Sequence, residues 1–479
     1  MIDRISNKLI KTLKFEVVDP LLTIINGSIK HGTFPDMWKR GFVTPIHKRG
    51  DKTCVNNYRP VVLMSCLGKV LEATVRNKFI NHLSKILPDN MFGFRAGKST
   101  GEAIVAIMDK VKELRGEGRK VCLLSVDASS AFDLVSHELL LGSLDKIGAG
   151  PNMLAWTKSF LSNCRLSVKI DDVLSSSWCP DIGAGQGRRF SPDLYNVSSL
   201  TAVFWCVASF FVSFADDGMD IISGMTQEEC ENNAKIVLKE RKEWFDATGL
   251  SLNIEKTEYM GIGFTPESIT IEGYTINAKS SLKFLGLSLQ ADLGWDDTVD
   301  SLCNRIRRSA CTIRTEGRLY DIWDRKLLFG GWVLGSLYAN AIAYLPLLNI
   351  TQRQKLQVAM NAGVRAVANI PRYGQANMTA IRSRLGIPSV EQISEKVILS
   401  ASWKNREFFR SQNNGMSGPQ TRSRTNGNLP QPVQKGVYGK MVSTALVSGW
   451  NRLPIDIKNE DDPQKAKNLI KNFAFSQNI

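Results

Sequence analysis

The sequence has 479 residues, of which 43% are hydrophobic and 22% are charged, and its formal net charge is +15. This length and composition allow a sizeable buried core and exclude a wholly disordered chain. Residues 301–440 contain 21 Lys and Arg against 6 Asp and Glu, so this segment carries the whole surplus. The surplus predicts contact with a polyanion such as nucleic acid; the alternative is a basic surface that only aids solubility.

Cysteines and histidines exclude several kinds of site. The nine cysteines form no CxxC pair, which indicates reduced thiols in an intracellular compartment. No histidine follows His137, so we expect no zinc finger or His-dependent nuclease in the later part of the chain. The longest apolar stretch, 202–215, is too short for a membrane span, and we expect no membrane contact.

Apolar spacing predicts the elements in chain order. Residues 1 to about 35 are predicted to be helical, 32–63 to form strands and loops, and 65–87 to form an amphipathic helix. A loop and helix follow at 93–118, a strand at 121–126, and a helix that ends at Gly249. We expect a strand at 251–264, a strand-turn-strand at 281–289 and Arg-rich helices over 296–409. The polar stretch 410–434 is predicted to be a mobile loop before a small terminal unit.

Two of the predicted strands end in acidic residues. Asp127 closes one strand, and Asp216 and Asp217 close the apolar run that begins at residue 202. Adjacent strand residues point to opposite faces, so both acids reach one site only if the chain turns, and Gly218 is expected to permit that turn. Three clustered carboxylates repel one another unless a cation neutralises them or a pKa rises, and an oxygen-preferring divalent ion such as Mg²⁺ is the simplest solution. The alternative is a common turn signal that is unrelated to Asp127.

Seven short stretches follow one another in a recognisable order. NYRPVVLMSCLGKVLE (57–72) and FGFRAGKST (92–100) precede VDASSAFD (126–133), GAGQGRRFSPDLYN (183–196), FADDGMD (214–220), GLSLNIEKTE (249–258) and LKFLGL (282–287). The first two resemble finger motifs, and the other five resemble palm motifs A to E, of reverse transcriptases. The chain is most similar to non-LTR retrotransposons of the jockey and CR1 kind, motif by motif over residues 30–290 and weakly from SRLGIPSVEQI (383–393) to WNRLPIDIKN (450–459).

The resemblance implies a right-hand polymerase of the α+β class, with fingers, a ferredoxin-like antiparallel palm sheet and a helical thumb. The implied reaction is RNA-directed DNA synthesis from a primer 3′-hydroxyl. Its cofactors would be two Mg²⁺ ions, with Mn²⁺ as an alternative, and its partners an RNA template, a DNA primer or target, and dNTPs. The implied place of action is intracellular and nuclear. The chain begins directly at the polymerase, so we expect the endonuclease to be separate.

The same resemblance divides the chain into five parts. They are a helical lead-in (1–35), fingers (36–120), a palm with a finger insertion at about 140–180 (121–290), a basic helical thumb (291–410), and a flexible linker with a small C-terminal unit (411–479).

The resemblance also implies roles for individual residues. Asp127, Asp216 and Asp217 would be the catalytic metal ligands, with the carbonyl of Ala128 as a further ligand. Phe132 would be a steric gate that excludes the 2′-hydroxyl of rNTPs. Lys48 and Arg59 would bind the triphosphate, with Lys52 as a substitute, and Gln186 and Gly187 would contact the nucleotide or template. Arg95 would contact the template, and Lys256 would be the acid that protonates pyrophosphate. The primer grip would be Phe284, Leu285 and Gly286, and the duplex would be contacted by Arg305, Arg307 and Arg308. The alternatives are an ordinary core position for Phe132 and solvated positions for the basic residues.

The stretch Gly-Ala-Gly-Gln-Gly at 183–187 departs from the family pattern, which more often has a proline before the glutamine. This departure bears on the stiffness of the loop and not on its identity as motif B. Arg188 and Arg189 are also unusual there, and we expect them to contact template phosphates or water.

Three rival functions stay open. A viral RNA-dependent RNA polymerase usually has Gly-Asp-Asp at the hairpin and an acid near the position of Phe132. A group II intron maturase would be expected to show a maturase or nuclease segment. The rival from another class is a catalytically decayed, nucleic-acid-binding remnant of such an element, because the interval 196–214 is short for the family.

Overall fold

The computed structural model describes residue 3 and residues 5–129, 131–414, 426–430 and 441–476. Its strands are β1 (Arg40–His47), β2 (Tyr58–Leu63), β3 (Lys120–Ser129), β4 (Arg165–Ile170), β5 (Val173–Leu174), β6 (Ser209–Phe214), β7 (Asp217–Gly224), β8 (Ser251–Leu252), β9 (Glu258–Ile262), β10 (Ile269–Ile271), β11 (Tyr274–Ile276), β12 (Ser281–Phe284) and β13 (Leu287–Gln290).

The helices of the first part are α1 (Asn7–Thr12), α2 (Val18–His31), α3 (Cys66–Ile86), α4 (Thr100–Gly116), α5 (His137–Lys146), α6 (Pro151–Leu161), α7 (Ser191–Ser198), α8 (Ala202–Trp205) and α9 (Gln227–Thr248). Those of the second part are α10 (Asp296–Glu316), α11 (Ile322–Phe329), α12 (Gly335–Tyr338), α13 (Ala341–Tyr344), α14 (Ile350–Val367), α15 (Met378–Leu385), α16 (Val390–Lys404) and α17 (Arg406–Asn414). Three helices follow, at Val442–Arg452, Ile455–Lys458 and Pro463–Ser476.

A five-stranded antiparallel sheet forms the centre of the molecule. β3 pairs with β7 on one side and with β9 and the short β8 on the other, and β7 also pairs with β6. Helices separate β3 from the β6–β7 hairpin, and α9 separates that hairpin from β9. This is the β-α-β-β-α-β order of a ferredoxin-like sheet. The prediction of an α+β polymerase with a ferredoxin-like palm is therefore confirmed.

Both faces of the palm sheet are buried because its strands alternate between two cores. Val121 and Leu123 pack on one face with residues of α4. Cys122 and Leu124 pack on the other face with residues of α9. The alternation continues to the end of β3 and places Asp127 on the face that α4 covers. A strand that is buried on both faces reads as a continuous apolar run, which is how the sequence shows β3.

A second sheet takes strands from two separate parts of the chain. β1 pairs antiparallel with β2 and parallel with β4, and β5 pairs with β4. β4 and β5 belong to the segment 140–180, which the sequence assigns to a finger insertion within the palm. Their pairing with β1 supports that assignment, and the division into five parts stays a prediction.

The region 296–414 is helical, as the apolar spacing predicts. α10 packs along α14 through Leu302, Ile306 and Met360, and a π-helical turn, Gly330–Leu334, joins α11 to α12. In the described parts of the chain, no single helix has the length and apolar composition of a membrane span. One pair of helices bent at 46°, Ile322–Tyr338 with Ala341–Leu347, passes that test when taken together.

The C-terminal unit shares a core with the helical region. Leu399 and Trp403 of α16 pack with Trp450, Ile457 and Ile470. The division expected near residue 410 therefore does not separate two cores. Most of the predicted mobile stretch 410–434 lies outside the described residues, which include only 410–414 and 426–430 of it.

The acidic hairpin turns earlier than predicted. β6 and β7 are joined through Ala215 and Asp216, and Ala215 has a φ of +58°. Gly218 lies within β7 and pairs with strands on both sides, so the prediction of a turn at Gly218 is wrong. A Cβ on Gly218 would lie 2.6 Å from the ring of Phe211. Close packing inside the sheet, and not a turn, is what suits glycine at this position.

Candidate active site

Asp127 and Asp217 face each other across the two central strands. They are direct partners in the register of β3 and β7, and Asp216 lies in the adjoining turn. Direct partners in antiparallel strands have Cβ atoms about 5 Å apart on one face, so these carboxylates lie close together and repel. Ala128 lines a cavity that Asp216 and Asp217 also line. The structure thus brings together the three acids that the sequence assigns to metal binding, and it places Ala128 beside them, while the role of its carbonyl stays a prediction.

The surroundings make these acids harder to ionise. Burial, together with the charges of Asp216 and Asp127, raises the pKa of Asp217 to about 6. The pKa of Asp216 is also raised, mainly because the protein around the turn desolvates its carboxyl group, and the charge of Asp127 adds to the effect. The side chain of Asp216 is nevertheless open to solvent. The site therefore favours the binding of a positive charge.

Lys256 supplies one such charge from the chain itself. Its Nζ lies 2.8 Å from Oδ2 of Asp127. The lysine ends a 3₁₀ turn, Ile254–Lys256, that separates β8 from β9 where the sequence predicts one strand. Asn253 anchors this turn, because its N–H donates to the carbonyl of Asp127 at 3.0 Å and its side chain accepts from the N–H of Lys256 at 3.3 Å. The interruption of the strand holds the ammonium group against the acids.

The donor set suits a hard divalent cation, since carboxylate oxygens are the ligands that Mg²⁺ prefers. Among the described residues, no group of three or more His, Cys, Asp and Glu side chains is already arranged to hold a metal ion. With its ammonium against Asp127, Lys256 supplies part of the charge that a cation would supply. A cation bound by Asp127 would therefore share this carboxylate with Lys256.

Tyr195 links the acids to the predicted steric gate. Burial raises the pKa of Tyr195, and the charges of Asp216, Asp127 and Asp217 add to this effect. The ring of Tyr195 also stacks on the ring of Phe132, with a centroid distance of 4.8 Å and an interplanar angle of 21°. Phe132 is half-buried and is linked to the acids through Tyr195, a placement that fits both a gate and a core position.

Two of the basic residues predicted to bind the triphosphate, Arg59 of β2 and Lys48 directly after β1, act on acidic side chains. The positive charge of Arg59 opposes the rise in the pKa of Asp216, so this guanidinium lies within electrostatic reach of the acids. Lys48 acts in the same way on Asp133, whose pKa is raised by burial. Lys52 lies in the exposed loop between the strands, where its carbonyl accepts from the Tyr58 hydroxyl at 2.9 Å. The placement of Arg59 and Lys48 supports the preference for these two residues.

Gln186 and Gly187 lie against the free edge of β2. The N–H of Val62 donates to the carbonyl of Gln186 at 2.7 Å. Gly187 has a φ of +104°, and a Cβ there would lie 2.8 Å from the carbonyl oxygen of Val62. Glycine is required by both the backbone angle and the close approach. The loop 183–187, which begins motif B, is thereby attached to the strand that carries Arg59.

Arg188 does not contact template phosphates or water as expected. Its side chain is only 5% exposed, and its guanidinium lies 3.5 Å from the centroid of the Phe160 ring. That prediction is wrong because the arginine points into the protein, where a planar cation can stack on an aromatic face. Arg189 is exposed, which leaves its expected role open.

Arg95 is engaged within its own loop. Its guanidinium donates to the carbonyls of Pro88 and Met91, the second at 2.9 Å, and burial lowers its pKa. These contacts shape the entry to α4. The contact of Arg95 with a template stays a prediction, and the structure adds a local structural role to it.

The predicted primer grip is a tight hairpin turn between β12 and β13. Leu285 and Gly286 have φ values of +47° and +85°, and Phe284 pairs with Leu287. The side chain of Asn340 donates to the carbonyl of Leu285 at 2.7 Å. The turn is therefore fixed to the helical region, in which Asn340 immediately precedes α13.

Arg305, Arg307 and Arg308 are all exposed on α10, whose opposite face is buried against α14. An exposed row of guanidinium groups can contact a phosphate backbone, so the placement supports the prediction that this helix lies along a duplex.

Sequence reasoning missed three residues of the site. Tyr195 and Asn340 carry no signal that separates them from ordinary core and loop residues. Glu72 does carry one, since a carboxylate three residues before Val75 and seven before Phe79 falls on the apolar face of α3. Glu72 is fully buried, and its Oε2 accepts from the N–H groups of Arg189 and Phe190 at 2.6 and 3.2 Å.

Comparison with known proteins decides the family. Residues 46–289 match the family described as reverse transcriptase (RNA-dependent DNA polymerase). The chain belongs to the reverse transcriptase family. Members of this family generally use divalent metal ions. The matched segment contains each of the acids, Lys256 and the loop 183–187.

The curated relatives confirm the resemblance to non-LTR retrotransposons. The chain is 25% identical over 418 residues to the probable RNA-directed DNA polymerase from transposon BS of Drosophila melanogaster, covering 82% of this chain and 45% of that protein. It is 24% identical over 318 residues to the RNA-directed DNA polymerase from mobile element jockey of the same organism, covering 64% of this chain and 35% of that protein. The chain thus spans less than half the length of these relatives.

Among solved structures, apo telomerase from Candida tropicalis is similar, with 12% sequence identity and a TM-score of 0.44. The match covers 77% of this chain and 64% of that one. A score at this level adds nothing to the family assignment, which rests on the sequence match.

Proposed function

We propose that this reverse transcriptase chain extends the 3′-hydroxyl of a DNA primer or target with dNTPs on an RNA template. The observation that carries the proposal is the register of the palm sheet. It sets Asp127 opposite Asp217 and puts Asp216 in the adjoining turn, in a chain whose family is described as RNA-dependent DNA polymerase.

The residues around the acids divide the work of nucleotide transfer. Arg59 and Lys48 would bind the triphosphate, for which a planar guanidinium is well suited. Gln186 and Gly187 would position the nucleotide or template from the edge of β2. Phe132 would exclude a 2′-hydroxyl. Lys256, whose ammonium lies against Asp127, would protonate the departing pyrophosphate.

Asp127, Asp216 and Asp217, with the carbonyl of Ala128, would hold the divalent ions. When held there, two Mg²⁺ ions, or Mn²⁺ in their place, would supply a lowered pKa of the primer 3′-hydroxyl and stabilisation of the charge on pyrophosphate. The raised pKa of Asp217, about 6, supports this assignment, because a carboxylate that ionises reluctantly gains most from a nearby cation.

Incorporation of dTTP on poly(rA)/oligo(dT) in the presence of Mg²⁺ tests the proposal. We expect incorporation by the unmodified chain and a loss of at least about a thousandfold in Asp216→Ala. Asp172→Ala is the matched control, because Asp172 is an exposed acid in the turn between β4 and β5. It should leave incorporation unchanged.

The outcomes separate the proposal from its main rival. Incorporation that persists in Asp216→Ala would show that the acids are wrongly assigned. A chain that binds template and primer but incorporates no dTTP would instead be a catalytically decayed remnant. Use of rNTPs in place of dNTPs would indicate an RNA polymerase.

The similarity to mobile-element proteins also supports two further parts of the proposal. The chain would act inside the cell, in the nucleus, and it would cooperate with a separate endonuclease. Fluorescence of a tagged chain in the cytoplasm alone would contradict the first.

A further inference from the structure

The loop 183–188 lacks the proline that this family more often has, and the structure shows why a proline does not fit. Gly185, which directly precedes Gln186, has a φ of +76°. Proline holds φ near −65°, so it could not adopt this conformation. A Cβ at Gly185 would also lie 2.8 Å from Cδ of Arg188. The loop therefore has a different backbone path, and Arg188 packs directly against it.

Arg188 is fastened inside the protein by several contacts. One terminal nitrogen donates to the carbonyl of Phe160 at 3.2 Å, and the other lies 3.5 Å from Sγ of Cys164. The guanidinium also stacks on the Phe160 ring. Its Nε lies 3.9 Å from Oε1 of Glu72, and neither atom has a hydrogen-bond partner among the described residues. The contact between these two buried side chains is therefore an ion pair without a hydrogen bond.

Glu72 holds the other side of the same loop. Its second oxygen, Oε2, accepts from the backbone N–H groups of Arg189 and Phe190. These are the residues at which the loop enters α7, so Glu72 satisfies donors that the helix start would otherwise leave unpaired. One carboxylate thus contacts both the side chain of Arg188 and the backbone beyond it.

We propose that Glu72 and Arg188 are positioning residues for the nucleotide site, and that this buried pair takes the place of the proline in holding Gln186 and Gly187. The loop is fixed at three points, namely β2 through Val62, the Phe160 region through Arg188, and α3 through Glu72. Neither Glu72 nor Arg188 is assigned a contact with nucleotide, so their effect must pass through the loop. This proposal rests on the proposed polymerase function.

Four variants test the pair. Arg188→Met removes the guanidinium and keeps apolar bulk against Phe160. Glu72→Gln keeps an acceptor for the two N–H groups but leaves the charge of Arg188 uncompensated. The double variant removes both charges. Arg353→Met is the matched control, since Arg353 pairs with Glu391 at 2.6 Å in the helical region, away from the loop.

The first readout is steady-state incorporation of dTTP on poly(rA)/oligo(dT). We expect Arg188→Met to raise the KM for dTTP about tenfold while kcat changes less than about twofold, because a misplaced loop weakens nucleotide binding. The double variant should recover the thermal stability that Glu72→Gln loses, since no buried charge is then unpaired. It should not recover the KM. A KM that recovers together with stability would overturn the proposal, as would a rise of the same size in Arg353→Met.

The second readout is hydrogen exchange of peptides that cover residues 183–190, and it does not depend on activity. We expect faster exchange there in Arg188→Met and in the double variant, and unchanged exchange there in Arg353→Met. Unchanged exchange in Arg188→Met overturns the proposal. If the unmodified chain incorporates no dTTP, the proposed function fails, and the exchange measurement still decides whether the pair holds the loop.

Discussion

At the scale of single residues, the raised pKa of Asp217 makes folding stability depend on pH. A carboxyl whose pKa rises from 3.8 to about 6 on folding adds stability that is complete below 3.8 and is lost as pH rises through 6. In metal-free buffer at pH 8 we expect Asp217→Asn to be more stable than the unmodified chain by about 1 kcal/mol, a value reduced because the side chain is partly exposed. Urea unfolding with EDTA at pH 8 and at pH 4 measures the difference.

The difference should be much smaller near pH 4, and added Mg²⁺ should reduce it at pH 8 by stabilising the ionised form. An equal difference at both pH values would contradict the assigned environment of Asp217.

The stacking of Phe132 on Tyr195 makes a second prediction. If Phe132 excludes the 2′-hydroxyl, Phe132→Ala should increase use of rNTPs relative to dNTPs about tenfold to a hundredfold. Single-nucleotide extension with dTTP and, separately, with rTTP at the same concentration measures the ratio of rNTP use to dNTP use. UTP can replace rTTP. Phe79→Ala is a control for loss of a buried ring, since Phe79 lies in α3 within the same core.

If both variants lose activity without a change in the ratio, Phe132 is a core residue and the gate assignment is wrong.

The acids could be predicted from the sequence because each follows an apolar run, whereas Lys256 could be predicted only from the resemblance of NIEKTE to motif D. Arg188 was misassigned because its burial depends on Phe160 and Glu72, which come from other segments. No local sequence pattern around Arg188 predicts that an aromatic ring and a carboxylate will contact its side chain. The same holds for Tyr195, whose importance arises only when β6 and β7 bring Asp216 beside it.

At the scale of elements, the exposed face of α10 predicts a salt-dependent contact with nucleic acid. Replacing Arg305, Arg307 and Arg308 by Ala should weaken binding of a template–primer duplex. The slope of log K against log salt should become shallower by about two to three, since each lost phosphate contact removes roughly 0.7–0.9. Fluorescence anisotropy over a series of salt concentrations measures both quantities.

Replacing Lys8, Lys11 and Lys14 removes the same charge from exposed positions near the start of the chain and is the matched control. If this control changes the slope as much as the α10 variant does, binding depends on net charge and not on α10.

Helices were predicted well because apolar spacing over many residues outweighs single exceptions. α9, for example, ends at Gly249, which has a φ of +72° as a helix C-terminus favours. The turn at Gly218 was wrong because an Asp-Gly pair is a frequent turn signal, whereas the register of β7 with β3 and β6 keeps Gly218 inside the sheet. The turn falls instead on Ala215, which the sequence alone would not favour at positive φ.

At the scale of the whole molecule, the charge distribution could be read from the sequence, but the arrangement of the C-terminal unit could not. Asp109 of α4 accepts from the N–H groups of Val442 and Ser443, each at 3.1 Å, so α4 caps the helix that begins at Val442. Trp403 and Trp450 share one core across the polar stretch between them. Residues so far apart in the chain leave no common periodicity that would reveal their contact.

The proposed mechanism requires Asp127 and the Asp216–Asp217 hairpin to form one cation site, and affinity cleavage tests this directly. Fe²⁺ can replace Mg²⁺ at carboxylate sites, and with ascorbate and peroxide it cuts the backbone near the bound ion. We predict cuts near residue 127 and near residues 215–217, suppressed by excess Mg²⁺ and lost in Asp127→Asn. Cuts confined to one of these segments, or cuts that persist in Asp127→Asn, would contradict the shared site.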